Sequence, residues 1–365
     1  MNTLSKISSE TKTQNLSFEE RIEAFVQLGK QLRSDNEQWK NEIEQMAVEQ
    51  YVQNQWFIPS FGQFALQAIG EMLQADALSS LLTRYRESIN DSYKIVAPLT
   101  VGVISAGNIP LAGFHDFFAV LVTGHRYLGK LSRNDCYLLP KIADMLVKIA
   151  PTLAQQIDFT DRLTHFDAVI ATGSNNSARY FEYYFGKYPH ITRKSRNSVA
   201  VLTGKESQSE LEGLFLDTFL YFGLGCRSVS LLCVPKNYDF QPFLNICQQL
   251  GKELSQHHHY LNNLDYQRTL FLMNRTPFVD GGIALFTENA QLCSPISVVH
   301  THTYNHIDEI VSFIAQEHEH LQCVVATAGL IDNTISFGKA QIPAVTDFAD
   351  GVDTIAWGIS LFQNQ

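Results

Sequence analysis

Apolar residues recur at helical spacing in the first part of the chain and then give way to short apolar runs. Residues 17–90 predict helices, the first of which begins at a capping box, Ser17-Phe-Glu-Glu. Beyond this segment the pattern predicts strands at residues 95–105, 127–131, 168–172, 199–202, 229–234, 283–286, 297–300 and 322–326. Helices are predicted between them at residues 114–123, 140–149 and 240–255, and the tail at 354–362 predicts a strand or a docking segment.

Alternation of strands and helices indicates an α/β fold with parallel sheets and crossover helices. A chain of 365 residues suits two domains better than one core. We predict that residues 1–198 form the N-terminal helices and a dinucleotide-binding domain and that residues 199–340 form a domain with a catalytic cysteine. The tail, residues 341–365, is able to return to the first domain.

Composition excludes several classes of function. The net charge is −10 and no basic stripe interleaved with aromatic residues occurs, which argues against nucleic-acid binding. No apolar run is long enough for a membrane span, and the polar start predicts no signal peptide. None of the six cysteines forms a close Cys-x-x-Cys pair, so we expect free thiols and a cytoplasmic protein.

The most informative segment is the turn around Cys226. A helical period that includes Leu214 and Phe219 ends at Gly223 and Gly225, and the strand at 229–234 follows. The turn thus presents a thiol among small residues with Arg227 beside it, which suits a nucleophile because a positive charge favours the thiolate. The same pattern also fits a small apolar residue in a packed turn, and the residues alone leave both interpretations open.

Three further candidates follow predicted strands, where parallel sheets bind ligands. In Ser105-Ala-Gly-Asn-Ile-Pro110 the Asn108 amide could donate to an oxyanion, although asparagine turns are common. In Gly129-Lys-Leu-Ser-Arg-Asn-Asp135 the cations Lys130 and Arg133, with Ser132 between them, could contact phosphate or ribose, or form a solvated loop. In Ala171-Thr-Gly-Ser174 a helix start could bind phosphate or carry an ordinary serine cap.

The histidines offer a metal site as a competing interpretation. They cluster at residues 257–259 and 300–306, but without the spacing of a helical metal motif. We therefore expect no metal, and interpret the first group as a solvated helix end and the second as an edge strand.

Taken in order, these segments resemble the aldehyde dehydrogenase superfamily and, within it, the LuxC-like acyl-CoA reductase family. The resemblance runs from about Ile95 to Asp353 and implies two Rossmann-like parallel-sheet domains after a helical segment. It implies Cys226 as nucleophile, with Asn108 in the oxyanion hole and Arg227 near the thiol. It also implies a cofactor site formed by Ser105, Lys130, Ser132, Arg133, Gly173, Ser174 and Gln291. Gln291 begins Gln291-Leu-Cys-Ser-Pro295, which resembles the Glu-x-x-Gly-Pro segment, and Asp350-Gly-Val-Asp353 is similar to the LuxC-type tail.

Two departures from the superfamily pattern bear on the reaction. The stretch that carries the water-activating glutamate in aldehyde-oxidising members reads Ile191-Thr-Arg-Lys-Ser-Arg-Asn-Ser-Val199, with no carboxylate. Lack of this base protects a thioester from water and favours reduction. Arg133 stands where NAD-selective members often carry glutamate, and a guanidinium attracts a 2′-phosphate.

The resemblance and its departures together imply NADPH-dependent reduction of a fatty acyl thioester to an aldehyde, with NADH as another candidate cofactor. The expected partner is acyl-CoA or an acyl-carrier thioester, and a homo-oligomer stays open because the chain is shorter than typical members. The alternatives are NAD(P)-dependent aldehyde oxidation and a catalytically silent acyl-binding or scaffold protein of the same fold.

Overall fold

The computed structural model of the chain describes residues 16–92 and 97–363. The polar start of the chain, and Ile95 and Val96 of the first predicted strand, lie outside these residues. The predicted helical segment is present as four helices: α1 (Phe18–Leu32), α2 (Glu37–Gln53), α3 (Pro59–Met72) and α4 (Ala75–Ser92). The predicted capping box is formed, because Ser17 Oγ accepts from Glu20 N and the Glu20 carboxylate accepts from Ser17 N.

The first sheet has five parallel strands in the order β3-β2-β1-β4-β5. They are β1 (Thr100–Ile104), β2 (Arg126–Lys130), β3 (Ile157–Phe159), β4 (Ala168–Thr172) and β5 (His190–Arg193). The crossover helices are α5 (Phe114–Val122), α6 (Leu138–Ile149) and α7 (Asn175–Phe185). The chain moves outward in one direction from β1 to β3 and in the other from β4 to β5, so the carboxyl ends of β1 and β4 form the switch point where nucleotides bind in such sheets.

The second sheet has six strands in the order β11-β6-β7-β10-β9-β8, parallel except for β8. They are β6 (Asn197–Val201), β7 (Val229–Pro235), β8 (Val279–Asp280), β9 (Leu285–Glu288), β10 (Val298–Tyr304) and β11 (Leu321–Ala326). Its helices are α8 (Gln208–Phe219), α9 (Gln241–Leu250), α10 (His258–Asn274) and α11 (Ile307–Glu317). The predicted fold class, with two Rossmann-like parallel sheets after a helical segment, is confirmed, and the predicted domain boundary falls within β6.

Some local predictions were wrong. The tail is a helix, α12 (Thr354–Gln363), rather than a strand. β10 lies between β7 and β9, so His300 is on an interior strand, not an edge strand. His257 is buried and caps α10 through its ring instead of pointing to solvent. The sequence pattern did not predict β3, β5 or β8, which have three, four and two residues.

A segment that we call the crossing segment (residues 337–353) connects the second sheet to the first. Its Ala340 carbonyl accepts from Arg227 Nε at 2.5 Å, and its Val345 carbonyl accepts from His115 Nε2 on α5 at 2.9 Å. Helix α12 then packs against α5, and the Gly358 carbonyl accepts from His125 Nε2 at 2.8 Å. The tail therefore contacts elements of the first sheet.

Candidate active site

The Cys226 turn begins where α8 ends at Phe219. Tyr221, Phe222 and Gly223 follow with φ values of 55°, 56° and 72°, three successive residues in the left-handed region. The predicted left-handed exit at Gly223 is therefore present, but two aromatic residues share that conformation. The side chain of Cys226 is exposed. The chain thus reverses sharply before a thiol that is open to solvent.

Hydrogen bonds fix the backbone around the thiol. Ser228 N donates to the Gly225 carbonyl at 3.0 Å, and Gly225 N donates to Ser228 Oγ at 3.2 Å. Beneath the turn, the fully buried Ser198 donates through its hydroxyl to the Cys226 carbonyl at 3.0 Å. Ser198 Oγ also accepts a hydrogen bond from Cys323 N at 3.2 Å, which links the turn to β11.

Asn108 lies against this turn, as the oxyanion prediction requires. Its Nδ2 donates to the Leu224 carbonyl at 2.5 Å. A Cβ built on Gly225 would lie 3.5 Å from Ile109 Cγ2, so the loop after β1 and the cysteine turn are in van der Waals contact. One N–H of the Asn108 amide is engaged by Leu224, and an amide nitrogen carries a second N–H that can serve a substrate oxygen.

Cys226 is exposed as a residue, yet protein atoms closely surround its sulfur. Desolvation raises the pKa of the Cys226 thiol to about 11, while the nearby Arg227 guanidinium opposes this shift. The Cys323 thiol and the Asp350 carboxyl raise the pKa further. Burial therefore outweighs the positive charge, and the free protein holds the sulfur mainly as a thiol at neutral pH.

Arg227 was predicted to activate the thiol, but its hydrogen bond goes to the crossing segment. Besides the bond to Ala340, its Nη2 lies 3.7 Å from the Asp347 carboxylate. The side chain is largely buried. Arg227 thus anchors the crossing segment beside the cysteine turn, and its effect on Cys226 is electrostatic rather than through a hydrogen bond to the thiol.

Three predicted cofactor residues meet at the carboxyl edge of the first sheet. Ser105 N donates to the Lys130 carbonyl at 3.2 Å, and a Cβ at Gly107 would collide with Ser132. The buried hydroxyls of Ser105 and Tyr127 approach each other without a hydrogen bond of normal geometry. The loops after β1 and β2 therefore pack closely and leave a buried hydroxyl without an optimal partner.

The cations of this edge remain available for a ligand. Lys130 is half-buried, and no described residue pairs with its ammonium. Arg133 is exposed on the loop that follows β2, also without an ion-pair partner in the part of the chain that the structure describes. An uncompensated ammonium at a strand end suits contact with a ribose or a phosphate.

In the turn after β4, Gly173 N and Ser174 Oγ make hydrogen bonds within the protein. Gly173 N donates to the Arg193 carbonyl at 3.2 Å, and Ser174 Oγ accepts from Ser177 N at 3.2 Å as the cap of α7. Ile104 pairs with both Lys130 and Ala171, so this turn adjoins the Lys130 edge. Its role in phosphate binding stays a prediction, and a phosphate would share the helix start with the Ser174 cap.

Gln291 lies apart from the other predicted cofactor residues. Its side chain is exposed at a cavity of about 530 Å³, together with Cys293, His300 and other residues between 271 and 300. No other predicted site residue lines this cavity. The segment does approach the cysteine strand, because Ser230 Oγ on β7 donates to the Leu292 carbonyl at 2.5 Å.

Sequence reasoning missed Asp217, which lies on α8 and is fully buried. Its carboxylate accepts from Gly338 N at 2.6 Å and from Ala340 N at 3.0 Å, and so holds the crossing segment. Gln341 then reaches Ser228 of the cysteine turn at 3.3 Å. An aspartate within an apolar helical face was the available signal, since buried carboxylates need partners.

Asp350 is a second residue whose position matters to the thiol. Its Oδ1 lies 3.0 Å from Arg196 Nε, and burial raises the pKa of its carboxyl. Arg196 belongs to the stretch in which a catalytic carboxylate was sought and not found. The crossing segment therefore supplies a carboxylate near Cys226 that chain order did not reveal.

Several solved aldehyde dehydrogenases are similar to this chain in structure. Aldehyde dehydrogenase 21 from Physcomitrella patens, solved with succinate, has a TM-score of 0.64 and 12% identity over 95% of this chain and 85% of that one. A variant of 1-pyrroline-5-carboxylate dehydrogenase from Thermus thermophilus gives 0.60 and 12% identity over 96% and 81%. The indole-3-acetaldehyde dehydrogenase AldA from P. syringae, solved with NAD+ and IAA, gives 0.61 and 12% over 89% and 75%.

The chain has an aldehyde dehydrogenase-like fold. No family model matches the sequence, and no curated protein matches it either. Within residues 16–92 and 97–363, no helix is long and apolar enough to cross a bilayer. Nor do the side chains described there include a group of three or more His, Cys, Asp or Glu that could hold a metal.

Proposed function

We propose that this protein is an NAD(P)-dependent oxidoreductase that forms a covalent bond between Cys226 and the carbonyl carbon of its substrate. The observation that carries the proposal is the contact between Asn108 and the cysteine turn, at 2.5 Å from Asn108 Nδ2 to the Leu224 carbonyl. It unites an exposed thiol with an amide donor at the switch point of a parallel sheet. Nucleophile, oxyanion donor and nucleotide edge are the parts that this chemistry requires.

The residues of the chain have distinct tasks in such a reaction. Cys226, after losing its proton, adds to the carbonyl carbon, and the carbonyl electron pair moves to oxygen. The free N–H of Asn108 and a backbone amide of the turn donate to that oxyanion. A nicotinamide cofactor, when bound, supplies the hydride acceptor or donor. Ser198, through the Cys226 carbonyl, keeps the turn fixed during the reaction.

The residues at the edge of the first sheet suit such a cofactor. Among the described residues the Lys130 ammonium has no ion-pair partner, and the buried Ser105 hydroxyl has no optimal one; the two residues lie at the ends of adjacent strands. Arg133 would attract the 2′-phosphate of NADPH, which we propose over NADH for this reason. Gln291 would complete the site only if the segment that carries it reaches the nicotinamide side of the cleft.

The likeness to solved aldehyde dehydrogenases favours aldehyde oxidation as the direction of the reaction. Oxidation leaves an acyl thioester on Cys226, and water must then attack it with the help of a base. Asp350 is the candidate base, because it is the carboxyl of the crossing segment whose charge acts on the pKa of Cys226.

Reduction of an acyl thioester to an aldehyde is the second candidate. It is favoured by the stretch from Ile191 to Val199, which brings only cations to the region. Arg193 pairs with Asp116 and Arg196 pairs with Asp350, so the two arginines of this stretch hold carboxylates in ion pairs. An acyl-enzyme without a free base resists hydrolysis, and in this direction coenzyme A or a carrier thiol would leave.

The two directions can be separated by intact mass spectrometry. Wild type and Cys226→Ala are incubated with acyl-CoAs of several lengths, with Cys136→Ala as the matched control for an exposed thiol. An acyl adduct that is absent only in Cys226→Ala and disappears with NADPH supports reduction. Formation of NAD(P)H from an aldehyde supports oxidation. Cys226→Ala should then abolish this formation, and Asp350→Asn should slow hydrolysis of the acyl thioester on Cys226.

The remaining alternative, a silent acyl-binding or scaffold protein, makes a different prediction. It predicts no covalent adduct on Cys226 from either substrate class and no binding of NADPH or NADH. That combined result would overturn the proposed function.

A further inference from the structure

The corner between α2 and α3 touches both loops of the proposed site. We define the α2–α3 corner as residues 49–61. On one side, Asn54 Nδ2 donates to the Asn134 carbonyl at 3.1 Å, and Glu49 accepts from the Tyr137 hydroxyl. These residues belong to the loop that follows Lys130. On the other side, the corner packs against the residues that precede Cys226.

Those preceding residues have a backbone that needs support. Tyr221 and Phe222 both adopt positive φ, and neither has the freedom of glycine. A side chain with a Cβ is disfavoured in this region, because the Cβ approaches the carbonyl oxygen. Such a conformation persists only where surrounding contacts hold it.

The ring of Phe222 supplies those contacts. Its centroid lies 4.5 Å from His257, 4.9 Å from Phe61, 5.2 Å from Tyr260 and 5.4 Å from Trp56. Tyr221 contacts Phe61 at 5.4 Å as well. Phe222 is therefore enclosed by rings from the α2–α3 corner and from the start of α10.

Two hydrogen bonds fix the His257 ring that contacts Phe222. Its Nε2 donates to the Gln55 carbonyl at 2.9 Å, and its Nδ1 accepts from Tyr260 N at 3.2 Å. In addition, Ser60 Oγ donates to Glu253 at 2.9 Å. The α2–α3 corner and the start of α10 are thus joined around the ring that they hold.

We propose that Phe222 is a positioning residue for Cys226, and that the α2–α3 corner, through Trp56 and Phe61, holds the left-handed turn that aims the thiol at Asn108. The inference rests on the proposed function for its catalytic consequence. The same corner holds the loop after Lys130, so the N-terminal helices set the cofactor loop and the nucleophile turn relative to each other.

Two substitutions at Phe222 distinguish the positioning of Cys226 from the loss of ring packing. Phe222→Ala and Phe222→Gly both remove the ring, so both should lower the melting temperature by a similar amount. Glycine adopts φ near 56° at no steric cost, whereas alanine does not. We expect the turn to relax in Phe222→Ala and to keep its direction in Phe222→Gly.

The readout is iodoacetamide labelling of Cys226, followed by peptide mass spectrometry. A relaxed turn moves the sulfur away from the protein atoms that desolvate it and brings its pKa closer to the ordinary value, so Phe222→Ala should label about tenfold faster at pH 8, equivalent to one pKa unit. Phe222→Gly should stay within about threefold of wild type. If turnover is found, kcat should fall about tenfold or more in Phe222→Ala with KM little changed, and recover in Phe222→Gly.

Trp56→Ala tests the corner itself, with Trp39→Ala as the matched control. Trp39 is partly buried on α2 and packs on the same core, but it has no ring contact with Phe222. Trp56→Ala should accelerate Cys226 labelling like Phe222→Ala, and Trp39→Ala should leave it at the wild-type rate.

Equal labelling rates in Phe222→Ala and Phe222→Gly, or a wild-type rate in Trp56→Ala, would overturn the inference. Labelling needs neither substrate nor cofactor. A protein that shows the expected labelling pattern but turns over no substrate therefore refutes the proposed function and leaves the positioning of Cys226 by Phe222 in place.

Discussion

At the scale of single residues, access and activation of the thiol are separate properties. Cys226 is exposed, yet the protein around it raises the pKa of the thiol to about 11. Arg227 opposes this shift, but its hydrogen bond goes to Ala340. A reactive thiolate therefore requires a further positive charge or a base that arrives with the ligands.

The pH dependence of labelling tests this electrostatic state. Since the pKa lies near 11, the thiolate fraction and the rate of iodoacetamide labelling at Cys226 should rise about tenfold per pH unit between pH 7 and 10. The rate is measured by peptide mass spectrometry, and Cys226→Ala removes the labelled peptide. A plateau below pH 9 would contradict the assignment.

Asp217 makes a prediction about stability. Burial raises the pKa of its carboxyl from 3.8 to about 6, so the folded protein binds this proton more tightly than the unfolded chain does. The resulting stabilisation is present in full below about pH 4 and is lost as the pH rises to about 6, a change of about 3 kcal/mol.

The substitution Asp217→Asn removes this titration. In urea titrations, wild type should lose about 3 kcal/mol of unfolding free energy relative to Asp217→Asn as the pH rises from 4 to 7. Asp332→Asn, on an exposed loop, is the matched control for the change of charge. A constant difference for Asp217→Asn would refute the raised pKa.

At the scale of elements, α8 contacts both the cysteine turn and the crossing segment. Its end leads into the cysteine turn, and its side packs on the backbone of the crossing segment. A Cβ built on Gly213 would lie 2.7 Å from both Gly338 N and Phe337 C. Glycine is therefore required in this helix by close approach, not by backbone conformation.

Gly213→Ala tests the close contact between α8 and the crossing segment, because the contact determines whether the substitution raises or lowers the unfolding free energy. In an unobstructed helix the change would stabilise by up to about 1 kcal/mol. Here we expect destabilisation of roughly 1–3 kcal/mol, because the crossing segment must move away. Thermal unfolding measures the change, and Gln208→Ala on the exposed side of α8 should stay within about 0.5 kcal/mol. A stabilised Gly213→Ala would disprove the close packing.

At the scale of the whole molecule, a buried ion pair joins the tail to the first sheet. Arg193 Nη1 on β5 lies 2.5 Å from Asp116 on α5, and Arg193 Nη2 donates to Thr354 Oγ1 on α12 at 3.0 Å. Both charged side chains are more than nine-tenths buried. The crossing segment is thus held at its far end as well as by Asp217.

Breaking this pair on one side should be severe. Arg193→Met leaves Asp116 buried and unpaired, which we expect to cost about 3–5 kcal/mol in urea unfolding. The double variant Arg193→Met with Asp116→Leu should recover much of that loss, since no charge is left buried. If the two single effects simply add, the pair makes no such contribution.

The sequence by itself determined the alternation of strands and helices, the fold class and the position of the cysteine turn. These follow from local physics: apolar period, capping at Ser17, and the left-handed exit at Gly223. The alternation of strands and helices also indicated which loops meet at a sheet edge, whereas the grouping of Ser105, Lys130 and Ser132 into one cofactor site came from the resemblance to a known family.

Only the tertiary structure decided what depends on distant parts of the chain. The pKa of Cys226 depends on packing density, the partners of Arg227 lie more than a hundred residues away, and Asp350 reaches the thiol through the crossing segment. The left-handed conformation of Phe222 contradicts its local preference, and rings from the α2–α3 corner and from the start of α10 surround it. Such features arise from contacts that no local pattern encodes, and they are the features that would control the chemistry at Cys226.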